Sequence, residues 1–327
     1  MGSAPARKQI LWRTLLGIVL LFLIVGVDGM MRPTNWHHLF RREKWPGTDA
    51  NALKKTVVSP SLEAEIAKGT NVLWCGTFQL AWNEVCDLTG GPLQFERSNP
   101  MIPALNKRAF GKDSLDDASY VAMAGFVRDN TCDKIRAAVT EKFHGSFAPR
   151  FIPDKALASR PQDIIAYACL YKNMSFVTPF ERFDEKLIFG GAHVPAFGIG
   201  KFNPSLEKAY SQILILDYRD EDHFVIELKT SAPGDRLILA KVKPKSNLDD
   251  TIAFVASRIT NSSSEFAGTN DLLLVPRMKI DVTRHYREIE KMRFIPKAAN
   301  VAKDLILRAA VQNTRFEMNE KGVELIS

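Results

Sequence analysis

Three short apolar runs, close together in the chain, most constrain what it can fold into. "QILILDY" (Gln212–Tyr218), "HFVIELK" (His223–Lys229) and "DRLILAKV" (Asp235–Val242) are rich in branched residues. Between them stand the turn formers Asp220-Glu221-Asp222 and Pro233-Gly234. Runs of this length between such turns predict three strands in meander order rather than one helix. Strands joined by hairpins pair antiparallel, and their apolar face must be covered by helices or by a second sheet.

Helical spacing supplies the cover. In "TFQLAWNEVCDL", Phe78, Ala81, Trp82, Val85 and Leu88 recur at three and four places, with Thr77 as the expected N-cap and Gly90-Gly91-Pro92 as the stop. "DKIRAAVTEKF" (Asp133–Phe143) repeats the pattern, and "DDTIAFVASRI" adds Asp249 and Asp250 where a helix N-terminus favours acids. A short helix capped by Ser61 is expected, as are short helical pieces between Ile289 and Asn313 around Pro296. "DIIAYACLYKN" reads as a buried strand, with a buried helix as the alternative, and Pro179, Gly190, Gly191, Pro195 and Gly200 punctuate a loop or edge region. "LLLVPRMKIDV" is extended, with Pro276 at an edge or bulge. In "NTRFEMNEKGVELIS", Arg315–Met318 is a strand, Asn319–Gly322 a stop, and Val323–Ser327 an apolar end that needs a sheet. The class is α+β, with antiparallel sheet dominant in the C-terminal half.

With 46% hydrophobic and 25% charged residues, the 327-residue chain has a globular composition. Its net charge of +7 is partly concentrated near the N-terminus, and no basic stripe interleaved with aromatics points to nucleic acid. The uncharged stretch "TLLGIVLLFLIVGV" (Thr14–Val27) follows a basic segment. An uncleaved signal-anchor through residues 10–27 is the expected reading, with a cleaved signal or a buried apolar segment as alternatives. On that reading residues 1–30 are the anchor or signal, 31–55 a juxtamembrane linker and 56–327 the folded domain. The membrane is then a partner, and the domain is extracytoplasmic or secreted. Cys75, Cys86, Cys132 and Cys169 form no paired metal pattern, and no phosphate loop, dinucleotide fingerprint, nucleophile elbow or zinc helix occurs. No cofactor and no catalytic residue is assigned. A Cys-His hydrolase using Cys75 remains as a competing reading.

The order of several segments resembles the serpin superfamily, collinearly from about Asn51 onward. "NVLWCGTFQLAW" is similar to the family's segment opening its second helix. "DIIAYACLYKNMSFVTPF" resembles a central-sheet strand and the block after it, with Lys172, Phe176, Pro179 and Phe180 in matching places. "ILILDYRDEDHFVIEL" resembles a family hairpin, "VPRMKIDVTRHYREIEKM" a strand and short helix, and "FEMNEKGVEL" the strand leading into the reactive-loop hinge. The resemblance implies mainly antiparallel sheets surrounded by helices, and a loop that can insert as an extra strand in the largest sheet. Inhibitory members trap serine or cysteine proteases by that insertion, without a catalytic triad of their own.

The resemblance marks Asn319, Glu320, Lys321, Gly322, Val323, Glu324, Leu325 and Ile326 as hinge-like. Where the family has small residues, Val323, Leu325 and Ile326 are bulky, and branched side chains should slow entry into a sheet. The shutter-like positions also depart: Cys75 and Phe78 replace serines, Tyr167 an asparagine and Gln312 a histidine. Joint replacement of this kind predicts an apolar, static packing. The reactive loop and final strands of the family are expected to be absent after Ser327. The expected function is a non-inhibitory binding or structural module with a protein partner. The alternative is a protease inhibitor whose loop lies outside this chain.

Overall fold

The structure is a computed structural model, and it describes residues 9–10, 48–144, 160–189, 191–200, 207–232, 234–260 and 264–327. In chain order, the first strands are β1 (Gln9–Ile10), β2 (Thr48–Asp49), β3 (Thr56–Ser59) and β4 (Asn71–Trp74). Helices α1 (Thr77–Leu88) and α2 (Met101–Asn106) lead to β5 (Tyr120–Phe126), α3 (Thr131–Phe143) and β6 (Ile164–Ser175). Then come β7 (Glu181–Phe189), β8 (Ala192–Ile199), α4 (Glu207–Tyr210), β9 (Ile213–Asp220), β10 (His223–Leu228) and β11 (Leu237–Lys241). The chain closes with α5 (Leu248–Thr260), β12 (Glu265–Phe266), β13 (Leu272–Pro276), β14 (Met278–His285), β15 (Val311–Asn319) and β16 (Gly322–Ile326).

The fold is α+β, and its strands form three larger sheets. The largest has the order β2-β14-β15-β16-β6-β5; the others are β1-β13-β8-β7 and β11-β10-β9-β12, with β3 and β4 as a separate pair. The three predicted meander strands pair antiparallel as β9, β10 and β11. Only β1–β13, β2–β14 and β3–β4 pair parallel among the described strands. The main core joins one face of the largest sheet, through Leu170, Met174, Phe316, Met318, Val323 and Leu325, to the inner faces of the other two. The opposite face, through Val121, Ile165 and Cys169, packs on Ile135, Val139 and Phe143 of α3. Alternating side chains of one strand thus serve two layers.

Several local expectations are corrected. The Gly- and Pro-marked region expected as loop or edge is not loop but the long hairpin β7–β8, and its β7 is indeed the edge strand of the sheet. Gly198 serves close approach there rather than a turn: a Cβ on it would lie 1.9 Å from the Leu273 carbonyl oxygen of the neighbouring strand. The segment after Ser61 is not helical, and neither are residues 289–310. Both fill space through buried apolar contacts instead, Ile289, Met292, Phe294, Val301 and Leu305 among them. α1 starts at Thr77, with Gly76 at the cap position and no side-chain cap.

The expected membrane span is also corrected, and with it the membrane as partner and the anchored localisation. No helix among the described residues is long and apolar enough to cross a membrane. Ile10, the first residue of the expected span, lies in a strand paired with Leu273 of β13. The rest of that span, residues 11–27, lies outside the described residues.

Candidate functional site

The hinge-like residues form a hairpin arm inside the largest sheet. Glu320 and Lys321 are the two-residue turn between Asn319, which pairs with Gly322, and β16. Asn319 Oδ1 accepts from the Lys321 N–H at 2.9 Å, an Asx-type brace on the turn. On its other side β16 pairs antiparallel with β6, from Gly322 opposite Ser175 to Ile326 opposite Tyr171. The pairing continues at Ser327, which exchanges backbone hydrogen bonds of 2.8 and 3.0 Å with Leu170. The turn is held as well, because the Lys321 and Glu320 carbonyls accept from the Phe176 and Phe180 N–H groups.

Gly322 makes this arrangement sterically feasible. Its φ is +148°, and a Cβ would lie 2.3 Å from the Met174 carbonyl oxygen. Beyond it the bulky residues alternate as a strand requires. Val323 and Leu325 are buried at 1% and 8% exposure in the main core, whereas Ile326 packs on the α3 layer. The residues that would impede entry into a sheet are the same ones that fill the core once they are inside it.

Two of the shutter-like residues meet beside this arm, and a third packs on their partner. Gln312 precedes the hinge-like arm on β15 and is 5% exposed. Its Nε2 donates to the Cys75 carbonyl at 3.0 Å and to Thr77 Oγ1 at 2.9 Å, while its Oε1 accepts from the Tyr286 hydroxyl at 2.6 Å. Thr77 Oγ1 lies 2.7 Å from Ser327 Oγ, which is 3.2 Å from Thr314 Oγ1. Phe78 packs its ring on Tyr286, centroid to centroid 4.3 Å. The expected apolar packing is therefore replaced by a neutral hydrogen-bonded network, in which the amide has partners for both of its ends.

Tyr167 is not part of that network. It stands on the opposite face of β6, packed with the α3 layer. The neighbouring Ala168 faces the main core, so strand parity separates Tyr167 from Gln312. The residues that sequence reasoning missed are Tyr286, Thr314, Ser327 and the network role of Thr77. Thr77 was legible as a polar residue at a helix start, but its hydroxyl serves Gln312 and Ser327 instead of a cap.

The ionisable groups of the site are held in their neutral forms by burial. Burial pushes the Cys75 thiol up, and that of Cys169 up to about 12, so neither presents a ready thiolate. Burial likewise raises the Tyr286 phenol, which stays a neutral donor to Gln312. All four cysteines are buried thiols outside any disulfide. Among the described residues no group of three or more His, Cys, Asp or Glu could hold a metal ion.

A second buried polar contact reaches the other neighbour of β16. Lys172, on β6 opposite Leu325, is 5% exposed and places its ammonium 2.8 and 3.0 Å from the two carboxylate oxygens of Asp235. That pair ties the largest sheet to the start of β11. Next along the chain, Arg236 and also Lys229 bond the buried Glu227 carboxylate. Burial opposes the charge of Glu227, but those two cations outweigh it and hold its carboxyl below the usual range.

Three larger, mainly antiparallel sheets with helices around them, the largest holding Gly322–Ile326 between two of its strands, define an α+β fold. No family model matches the chain, and no curated protein does. Among solved structures it is similar to the cleaved viral serpin CrmA, with a TM-score of 0.42 and 13% identity over 76% of this chain and 92% of that one. It is similar to reaction-loop-cleaved lamprey angiotensinogen, with a TM-score of 0.41 and 11% identity over 76% and 86%. For the myxomaviral serine protease inhibitor 1 the TM-score is 0.40 and the identity 11%, over 76% and 89%.

Proposed function

We propose that this chain is a non-inhibitory serpin-like module that acts by binding a protein partner rather than by trapping a protease. The unit that carries this role runs from residue 56 to 327, with Thr48–Asp49 added at the edge of its largest sheet. The observation that carries the reading is the position of β16. Asn319–Ile326 are the hinge-like segment, and its strand Gly322–Ile326 already lies between β15 and β6, hydrogen bonded on both sides. A sheet whose slot is filled has no free edges there to receive an inserting strand.

Two further features support the reading. Val323 and Leu325 are locked into the core, so withdrawal of β16 would expose apolar surface. Gln312, Cys75 and Thr77, with Phe78 against Tyr286, act in this reading as a fixed clasp at the centre of the sheet. The test is incubation with a broad panel of serine and cysteine proteases, followed by denaturing electrophoresis. No covalent complex is expected. A reproducible complex that survives denaturant would replace this reading with that of a protease inhibitor.

A further inference from the structure

A cavity of about 490 Å³ lies beneath the largest sheet, between Ile280 and Phe316 of that sheet, Val72 and Trp74 of β4, and Phe110. Its size falls within the range of small-molecule sites, about 300–1,000 Å³. The wall is mainly apolar, and Thr56, Asn71, Arg277, Lys279 and Asp281 also line it. Two buried polar atoms of lining residues have no hydrogen-bond partner among the described residues, Trp74 Nε1 and the Nε of Arg277, which is ion-paired with Glu320. The Trp74 ring is held edge-on against Phe110 at 5.2 Å.

We propose that this cavity binds a small apolar molecule carrying one hydrogen-bond acceptor, of the fatty-acid class. The acyl body would lie against Ile280, Phe316 and Val72, and a carboxyl oxygen would accept from the Trp74 N–H. Cys75, Thr314 and Leu325 line the same cavity, so an occupant touches both β16 and the Gln312 network. Binding therefore braces the filled sheet and raises the thermal stability of the chain.

Calorimetric titration of the full chain with dodecanoic acid, below its micellar concentration, is expected to show saturable binding and a higher Tm. Trp74→Phe keeps the ring and removes the N–H, and is expected to weaken binding by about 3–10-fold, the worth of one hydrogen bond. Ile280→Trp fills the cavity and is expected to abolish saturable binding. Absence of saturable binding by the wild-type chain, or equal affinity in all three proteins, overturns the proposal. So does tighter binding of a Val-Thr-Val-Thr peptide at the same cavity, because that outcome assigns it to polypeptide. Should Ile280→Trp fail to fold, unchanged affinity in Trp74→Phe is sufficient to overturn it.

Discussion

Two buried polar clusters flank β16, and they are built on opposite principles. On the β15 side, Gln312 sits in a neutral network with Tyr286, Thr77 and the Cys75 carbonyl, extended through Ser327 to Thr314. On the β6 side, Lys172 relies on the single carboxylate of Asp235. Both polar side chains are 5% exposed, so burial does not distinguish them. Connectivity does. A network with several neutral members can redistribute its bonds when one is lost, whereas a lone ion pair leaves a full charge stranded.

The largest expected effect breaks the charged side. Lys172→Met should destabilise the chain by about 3–5 kcal/mol, because Asp235 is left buried without its cation. The double variant Lys172→Met with Asp235→Leu should recover most of that loss, and denaturant unfolding of both would check it. Gly322→Ala tests whether β16 can keep its place between the two clusters. Positive-φ strain alone costs about 1–3 kcal/mol, and the Met174 carbonyl must move as well. Faster hydrogen exchange across Val323–Ile326 is the expected signature.

On the neutral side, Gln312→Leu should cost about 1–3 kcal/mol, since it strands the Tyr286 hydroxyl. Ser327→Ala should cost about 0.5–1.5 kcal/mol, because Thr77 keeps its bond to Gln312. Equal losses in Lys172→Met and Ser327→Ala would remove the distinction drawn between the clusters.

The smallest effect is a dependence on pH, and it sharpens the electrostatic side of the comparison. Glu227 has two cations where Asp235 has one, and its folded carboxyl lies below its ordinary value of 4.5. Its contribution is therefore fully present above the unfolded value and is lost as pH falls through the lower folded value. Glu227→Gln should lower Tm at neutral pH and flatten the decline on acidification below about pH 4.5.

What could be read from the residues followed the strength of local periodicity. β9, β10 and β11 were legible because branched residues alternate with clear turn formers, and α1 and α5 because their apolar residues recur at helical spacing. The hairpin β7–β8 was not, because Gly198 and Pro195 look like breakers until the neighbouring backbone is known. Residues 289–310 carry enough apolar side chains for helices, yet those side chains satisfy tertiary contacts without a regular backbone. At the site, the hinge-like segment was recognisable as an apolar end in need of a sheet. Its place against β6 depends on a pairing remote in sequence. Gln312 was singled out, but Tyr286 and Ser327 come from distant positions and leave no local pattern. Tyr167 packs with the α3 layer while the adjacent Ala168 faces the main core, a parity that depends on which face of the sheet is covered by what. The apolar stretch at Thr14–Val27 showed hydropathy alone, and hydropathy does not distinguish a membrane from any other apolar setting.

The two-residue turn at Glu320–Lys321 also bears on the order of events during folding. β16 pairs with the strand that immediately precedes it, so little chain entropy is lost in bringing the two together. Hairpins of this kind close in about 1–10 μs, much faster than strands far apart in sequence find one another. β15 and β16 therefore reach the sheet as one ready-made unit, and β6 docks against an edge that β16 already occupies.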